Sequence, residues 1–149
     1  MAAIKTTRKH ANRIDLLGGA RMRGGSDEDA DMQGAIRNGL PFSALEKLAK
    51  VLELSGTQVS AVLGIAPRTL ARRKRQRHLS PVESDRVYRV ARIAQLALEM
   101  FGEIGKTRRW LNGPNRALAG AIPLTMLDTE IGARRVEEVL LHINYGIYA

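Results

Sequence analysis

The sequence predicts an all-α fold, and three observations lead to that prediction. Hydrophobic residues make up 44% of the 149-residue chain but aromatic residues only 4%, so the core must be built from Leu, Ile, Val and Ala. Apolar residues recur at three- and four-residue spacing, the period of an amphipathic helix. Ser, Pro and Gly stand where such helices would start and stop, and we find neither the alternating pattern of a strand nor an internal repeat.

Composition and charge favour a polyanionic partner and a non-enzyme. The chain has 24 Lys and Arg against 15 Asp and Glu, which gives a formal charge of +9. Residues 41–102 contain 11 of the basic and 5 of the acidic residues. Without Cys there are no disulfides, and His10, His78 and His142 lack ligand spacing, so we expect no metal and no cofactor. No nucleophile is paired with a base. The chain also shows no leader and no run of ~20 apolar residues, so we expect a cytoplasmic protein without a membrane partner.

Residues 1–38 are expected to form a flexible, basic N-terminal arm with one short helix. Paired glycines and scattered charges in 1–28 show no sustained apolar period. In 29–38, Met32, Ala35 and Ile36 share a face, which indicates a short helix.

Residues 39–102 are expected to form a DNA-binding and dimerisation region. A helix carrying Leu45, Leu48 and Leu52 is followed by a capping box, Ser55 with Gln58, that opens a helix over 56–63. Gly64 permits a sharp turn and Pro67 restarts the helix, which runs over 68–76.

Two short helices joined by such a turn are typical of a helix-turn-helix, whose second helix enters the major groove. Six of the ten residues in 68–77 are basic and none is acidic, which indicates phosphate contacts, while side chains early in the helix read bases. The DNA-binding candidates are Arg68, Thr69, Arg72, Arg73, Lys74, Arg75 and Arg77.

A long helix over 81–101 begins at Ser80-Pro81 with Glu83 at its third position. One apolar stripe of this helix faces the core, and a second predicts a subunit interface. The dimerisation candidates on the second stripe are Val82, Ile93, Leu96 and Met100.

Residues 103–149 are expected to form a C-terminal domain with helices near 106–111, 123–127 and 131–144. Asp128 or Thr129 is expected to cap the last helix. Trp110 fits a buried indole better than a base-stacking ring.

Over roughly residues 39–149 the chain resembles the Xre/MbcA/ParS antitoxins. The segments from Leu52 to Arg73 and from Leu79 to Arg86 are similar to their Xre-like helix-turn-helix. Segments of the C-terminal third are similar to their toxin-binding domain: Arg109–Leu111, Pro114–Leu118, Gly120–Leu124, Leu127–Thr129, Gly132–Ala133 and Ile143–Ala149.

The resemblance implies an Xre-like helix-turn-helix domain followed by a small α-helical toxin-binding domain. It implies an antitoxin that neutralises an NAD-consuming RES-domain toxin, represses its own operon by binding operator DNA, and works as a homodimer within a larger toxin–antitoxin complex. The toxin-binding candidates are Trp110, Asn115, Arg116, Asp128, Glu137, Tyr145, Gly146 and Tyr148. Two alternatives are a stand-alone Xre-type repressor without a toxin partner and a small RNA-binding protein.

Overall fold

A computed structural model describes residues 16–17, 26–144 and 146. Seven α-helices lie within this part of the chain. Their bounds are α1 Ser26–Asn38, α2 Phe42–Leu52, α3 Gly56–Leu63, α4 Pro67–Gln76, α5 Pro81–Phe101, α6 Ile104–Asn112 and α7 Glu130–Asn144. Two 3-10 helices, Arg116–Leu118 and Pro123–Asp128, connect α6 to α7.

The predicted all-α class is confirmed. The described residues contain no strand, only an isolated antiparallel bridge between Pro41 and His78. There the Leu79 N–H donates to the Leu40 carbonyl at 3.0 Å and the Phe42 N–H to the Arg77 carbonyl, also at 3.0 Å. This bridge ties the start of α2 to the end of α4.

Local start and stop signals place the helices as expected. Ser55 and Ser80 each accept the backbone N–H three residues on, and the Gln58 and Glu83 side chains complete two capping boxes. Gly64 ends α3 in the left-handed region with φ of +63°.

The long helix α5 is the centre of the molecule, packing against α1, α3, α6 and α7. Its Val87, Val90, Ala94 and Ala97 are almost completely buried, so one apolar face of the helix lies in the core as expected. Because these four helices all pack on α5, this helix fixes their positions relative to one another.

The second stripe of α5 is not a continuous surface. Ile93 is 0% exposed, so the prediction that it lies in a subunit interface is wrong, because its side chain is buried in the core of a single chain. Arg89, seven residues from both Val82 and Leu96, lies on the stripe and forms an ion pair with Glu130. Val82 is 60% exposed, whereas Leu96 and Met100 are half-buried against the core.

The N-terminal segment is partly integrated into the fold. The predicted short helix is present as α1, with Met32 buried and Ala35 and Ile36 packed against the core. Leu16 and Leu17 are also buried in the core, so a free arm is wrong for these two residues.

Among the described helices, none combines the length and the apolar character needed to cross a membrane.

Candidate nucleic-acid interface and partner-binding surface

Helices α3 and α4 form a helix-turn-helix around Gly64. The Ile65 N–H donates to the Ser60 carbonyl at 3.1 Å, which closes the turn, and Ile65 packs against the core. From α5, Arg86 Nη1 donates to the Leu63 carbonyl, and a Cβ on Gly64 would lie 3.1 Å from the same nitrogen. The turn therefore requires a residue at position 64 that accepts a positive φ and leaves space for the Arg86 guanidinium. Through this guanidinium, α5 holds the turn in place.

The basic side chains of α4 mostly face solvent. Arg68, Arg72 and Arg75 follow one another at four- and three-residue spacing, so they lie on one face of the helix. All three are exposed, as are Lys74 and Arg77, while Thr69 is half-buried. No residue of α4 is buried and none is acidic, so the exposed face presents an uncompensated positive charge.

Arg73 is an exception among the predicted DNA contacts. It lies five residues after Arg68, about 140° around the helix, and its side chain is turned toward α5. Its Nε donates to both carboxylate oxygens of Glu83, at 2.8 and 3.0 Å, and its Nη1 donates to Gln76. The interpretation of Arg73 as a groove contact is corrected by this geometry, because the guanidinium is committed to an intramolecular ion pair.

Glu83 is the partner that sequence reasoning assigned only to a helix cap. Its side chain is 6% exposed and accepts both Arg73 Nε and the Ser80 N–H. Burial raises the pKa of Glu83, but the hydrogen bond from Ser80 and the charge of Arg73 outweigh it, so the pKa is lowered overall. The carboxylate thus stays ionised and fixes α4 on α5.

The first group of predicted toxin-binding residues lies along α6 and the turn after it. Trp110 is half-buried, with its ring centroid 5.7 Å from that of Phe101. The Asn115 side chain accepts the Ala117 N–H at 2.9 Å and so caps the first 3-10 helix. Arg116, beside it, is exposed. Trp110 and Asn115 therefore have structural roles, whereas Arg116 is available to a partner.

The second group lies near α7. Thr129, and not Asp128, caps this helix by accepting the Gly132 N–H at 3.0 Å, and Asp128 is exposed. Glu137 is paired with Arg92 of α5 at 3.0 Å. Gly146 is exposed with φ of +72°. The candidates Tyr145 and Tyr148 lie outside the described residues.

Three polar contacts that the sequence did not reveal join α6 to α3 and to the end of α2. Gln58 Nε2 donates to Asn112 Oδ1 at 2.9 Å. Arg108 Nε donates to the Val51 carbonyl at 2.8 Å, and its Nη1 lies 3.3 Å from Glu53 Oε1. Because the partners are 54 to 57 residues apart in sequence, no local signal announces them.

Comparisons with known proteins match both halves. Residues 31–92 match the antitoxin Xre-like helix-turn-helix domain, and residues 96–146 match the antitoxin Xre/MbcA/ParS C-terminal toxin-binding domain. An Antitoxin Xre from Pseudomonas putida is 36% identical over 119 residues, which cover 79% of this chain and 74% of that protein. The chain belongs to the Xre antitoxin family.

More distant relatives agree with this assignment. An Antitoxin Xre from Yersinia enterocolitica is 26% identical over 77% of this chain and 79% of that protein. A Sphingobium protein named Prs ADP-ribosylating antitoxin is 27% identical over 80% of this chain and 81% of that protein.

This Xre-family chain is therefore an antitoxin with a toxin-binding domain, and not an enzyme. The two matched regions meet between residues 92 and 96, inside α5. One helix consequently belongs to both the helix-turn-helix domain and the toxin-binding domain, so the two share a core.

Proposed function

We propose that this Xre-family antitoxin binds operator DNA through α4 and thereby represses its own operon. The observation that carries the proposal is the exposed face formed by Arg68, Arg72 and Arg75, directly after a helix-turn-helix turn. Cationic side chains raise the affinity for DNA because they release counterions from its phosphates. An Arg in the major groove can also donate two hydrogen bonds to one guanine. Lys74 and Arg77 extend the charge along the DNA backbone.

The DNA proposal is tested with a duplex spanning the promoter of the antitoxin's own operon and a scrambled duplex of equal length. We expect the promoter duplex to bind about 10³-fold or more tightly at physiological salt. Equal affinity for both duplexes, or a preference for RNA, would contradict operator recognition and favour the RNA-binding alternative.

The toxin is proposed to be a RES-domain protein that consumes NAD. The matched toxin-binding domain supports a toxin partner, and the name of the Sphingobium relative pairs an antitoxin with ADP-ribosylation, which uses NAD as the donor. Arg116 and Asp128 are the exposed candidates among the described residues.

A reading frame next to the antitoxin gene supplies the test of this partner. The frame is expressed alone and with the antitoxin, while cellular NAD and growth are followed. We expect NAD to fall only in the absence of the antitoxin. If the neighbouring protein leaves the cellular NAD level unchanged, the proposal of an NAD-consuming toxin is wrong. If no toxin gene lies next to the antitoxin gene, the alternative of a stand-alone repressor is favoured.

We further propose that the antitoxin is a homodimer within the toxin–antitoxin complex, because two half-sites of an operator call for two recognition helices. With Ile93 buried, the remaining candidates for the interface are Val82, Leu96 and Met100. The exposed Val82 lines an open groove of about 920 Å³ between α1 and α5, together with Met32.

A further inference from the structure

A pocket of about 230 Å³ lies where the helix-turn-helix meets the toxin-binding domain. Its apolar lining consists of Ala61, Val62, Ile122 and Leu124. The volume far exceeds the ~30 Å³ share of one water molecule. It is below the ~300–1,000 Å³ of pockets that enclose a drug-sized ligand. The size therefore suits one inserted side chain.

The polar lining contains one unused charge. Gln58, Asn112 and Thr125 are satisfied internally: Gln58 bonds Asn112 across the seam, and Thr125 Oγ1 donates to the Ile122 carbonyl at 2.7 Å. The Asp128 backbone carbonyl accepts Arg89 Nη1 at 3.3 Å, whereas its exposed carboxylate has neither a hydrogen bond nor an ion pair within 16–17, 26–144 and 146. The pocket thus offers apolar walls with a free anion beside them.

We propose that this pocket receives an arginine or lysine side chain of the toxin. Such side chains bury an aliphatic stem against apolar surface and keep the cationic head near water, where Asp128 would meet it. Five of the eight lining residues belong to the matched toxin-binding region and three, including Ala61, belong to α3. The bound toxin would therefore touch the helix-turn-helix directly. This inference rests on the proposed toxin partner.

A small cation tests the pocket without the toxin. The full chain is titrated with n-butylguanidinium and, in parallel, with neutral n-butylurea, while backbone amide NMR shifts are recorded. We expect saturable shifts around Ala61 and Ile122 with the cation and much weaker ones with the urea. Asp128→Asn should weaken the cation about 2–5-fold, as for an exposed ion pair, whereas Asp31→Asn on α1 should have no effect. Shifts that are equal for both probes, or unaffected by Asp128→Asn, would overturn the proposal.

Titration with the toxin distinguishes the pocket from the proposed function itself. Ala61→Leu fills the pocket from an exposed helical position and should weaken toxin binding by about tenfold or more, with Ala71→Leu at an exposed position on α4, outside the pocket, as the matched control. If the wild-type chain fails to bind the RES-domain toxin, the proposed partner is wrong. If it binds and both Ala61→Leu and Asp128→Asn bind equally well, the pocket is not the subsite. Thermal unfolding of each variant verifies that it remains folded.

Discussion

Glu83→Gln tests whether an ion pair on α5, rather than DNA, holds Arg73. The amide keeps the size of the side chain and an oxygen for the Ser80 N–H, since Gln also serves in a capping box. It removes the charge that Arg73 Nε meets at 2.8 and 3.0 Å. The variant thus leaves the cap in place and isolates the charge.

The expected cost follows from burial of the pair. Glu83 is 6% exposed but the Arg73 side chain is 22% exposed, so the freed guanidinium regains part of its hydration. This places the loss at about 1.5–3 kcal/mol, as for a hydrogen bond to a charged group, and below the cost of breaking a fully buried pair. At ~2–4 °C per kcal/mol for a chain of this size, Tm should fall by roughly 3–12 °C.

Thermal unfolding of Glu83→Gln is compared with Glu46→Gln, an exposed position on α2 where Tm should not change. The role of Arg73 is then read from the salt dependence of operator binding. Arg73→Ala should leave the slope of log K against log salt unchanged, whereas Lys74→Ala should lower it by about 0.9. An unchanged Tm in Glu83→Gln, or a reduced slope in Arg73→Ala, would refute the assignment of Arg73 as a positioning residue.

The same pair predicts a pH dependence. The pKa of Glu83 is lowered in the folded chain relative to the ordinary 4.5, so between these two values the unfolded chain binds more protons. Stability from Glu83 is therefore complete above about pH 4.5 and is lost as the pH falls through the folded pKa. The difference in unfolding free energy between wild type and Glu83→Gln should accordingly shrink below pH 4.5 and stay constant above it.

Three further predictions follow from exposed or crowded positions. Arg72→Ala should cost ~1–3 kcal/mol on the operator and relax its sequence preference, whereas Lys74→Ala should weaken all duplexes alike in gel-shift titrations. Val82→Lys should give monomers by light scattering that keep the helical circular-dichroism signal, because this side chain is 60% exposed within one subunit; an intact dimer would exclude Val82 from the interface. Gly132→Ala should lower the unfolding free energy by ~1–3 kcal/mol, because its Cβ would lie 1.9 Å from the Met126 carbonyl oxygen, whereas Gly34→Ala, with open space, should raise it by ~0.5–1 kcal/mol.

The sequence predicted those features that depend on residues a few positions apart. The capping boxes at Ser55 and Ser80 involve a partner three residues on, and the turn at Gly64 requires only a residue that tolerates positive φ. The basic face of α4 follows from helical spacing alone. For such features the local chain contains all the physical determinants, which is why the helix-turn-helix was predictable.

Features that depend on packing partners were not predictable in the same way. A helical wheel gives the direction of Ile93 on α5 but not the number of helices around it, so a residue in the core was assigned to an interface. Glu83 was recognised as a cap, yet its second bond, to Arg73 of another helix, requires the docked arrangement. Gly132 gives no local sign that a backbone carbonyl lies against it.

Charged side chains along α5 bind first the helix-turn-helix and then, further along the same helix, α7. Near its start, Glu83 binds Arg73 of α4, and Arg86 binds the turn before α4. One to two turns later, Arg89 and Arg92 pair with Glu130 and Glu137 of α7. A rigid helix spaces these groups at 1.5 Å per residue, so α4 and α7 are fixed relative to each other through α5. In the proposed function, a toxin bound to the C-terminal domain would therefore have a defined position relative to the exposed basic face of α4.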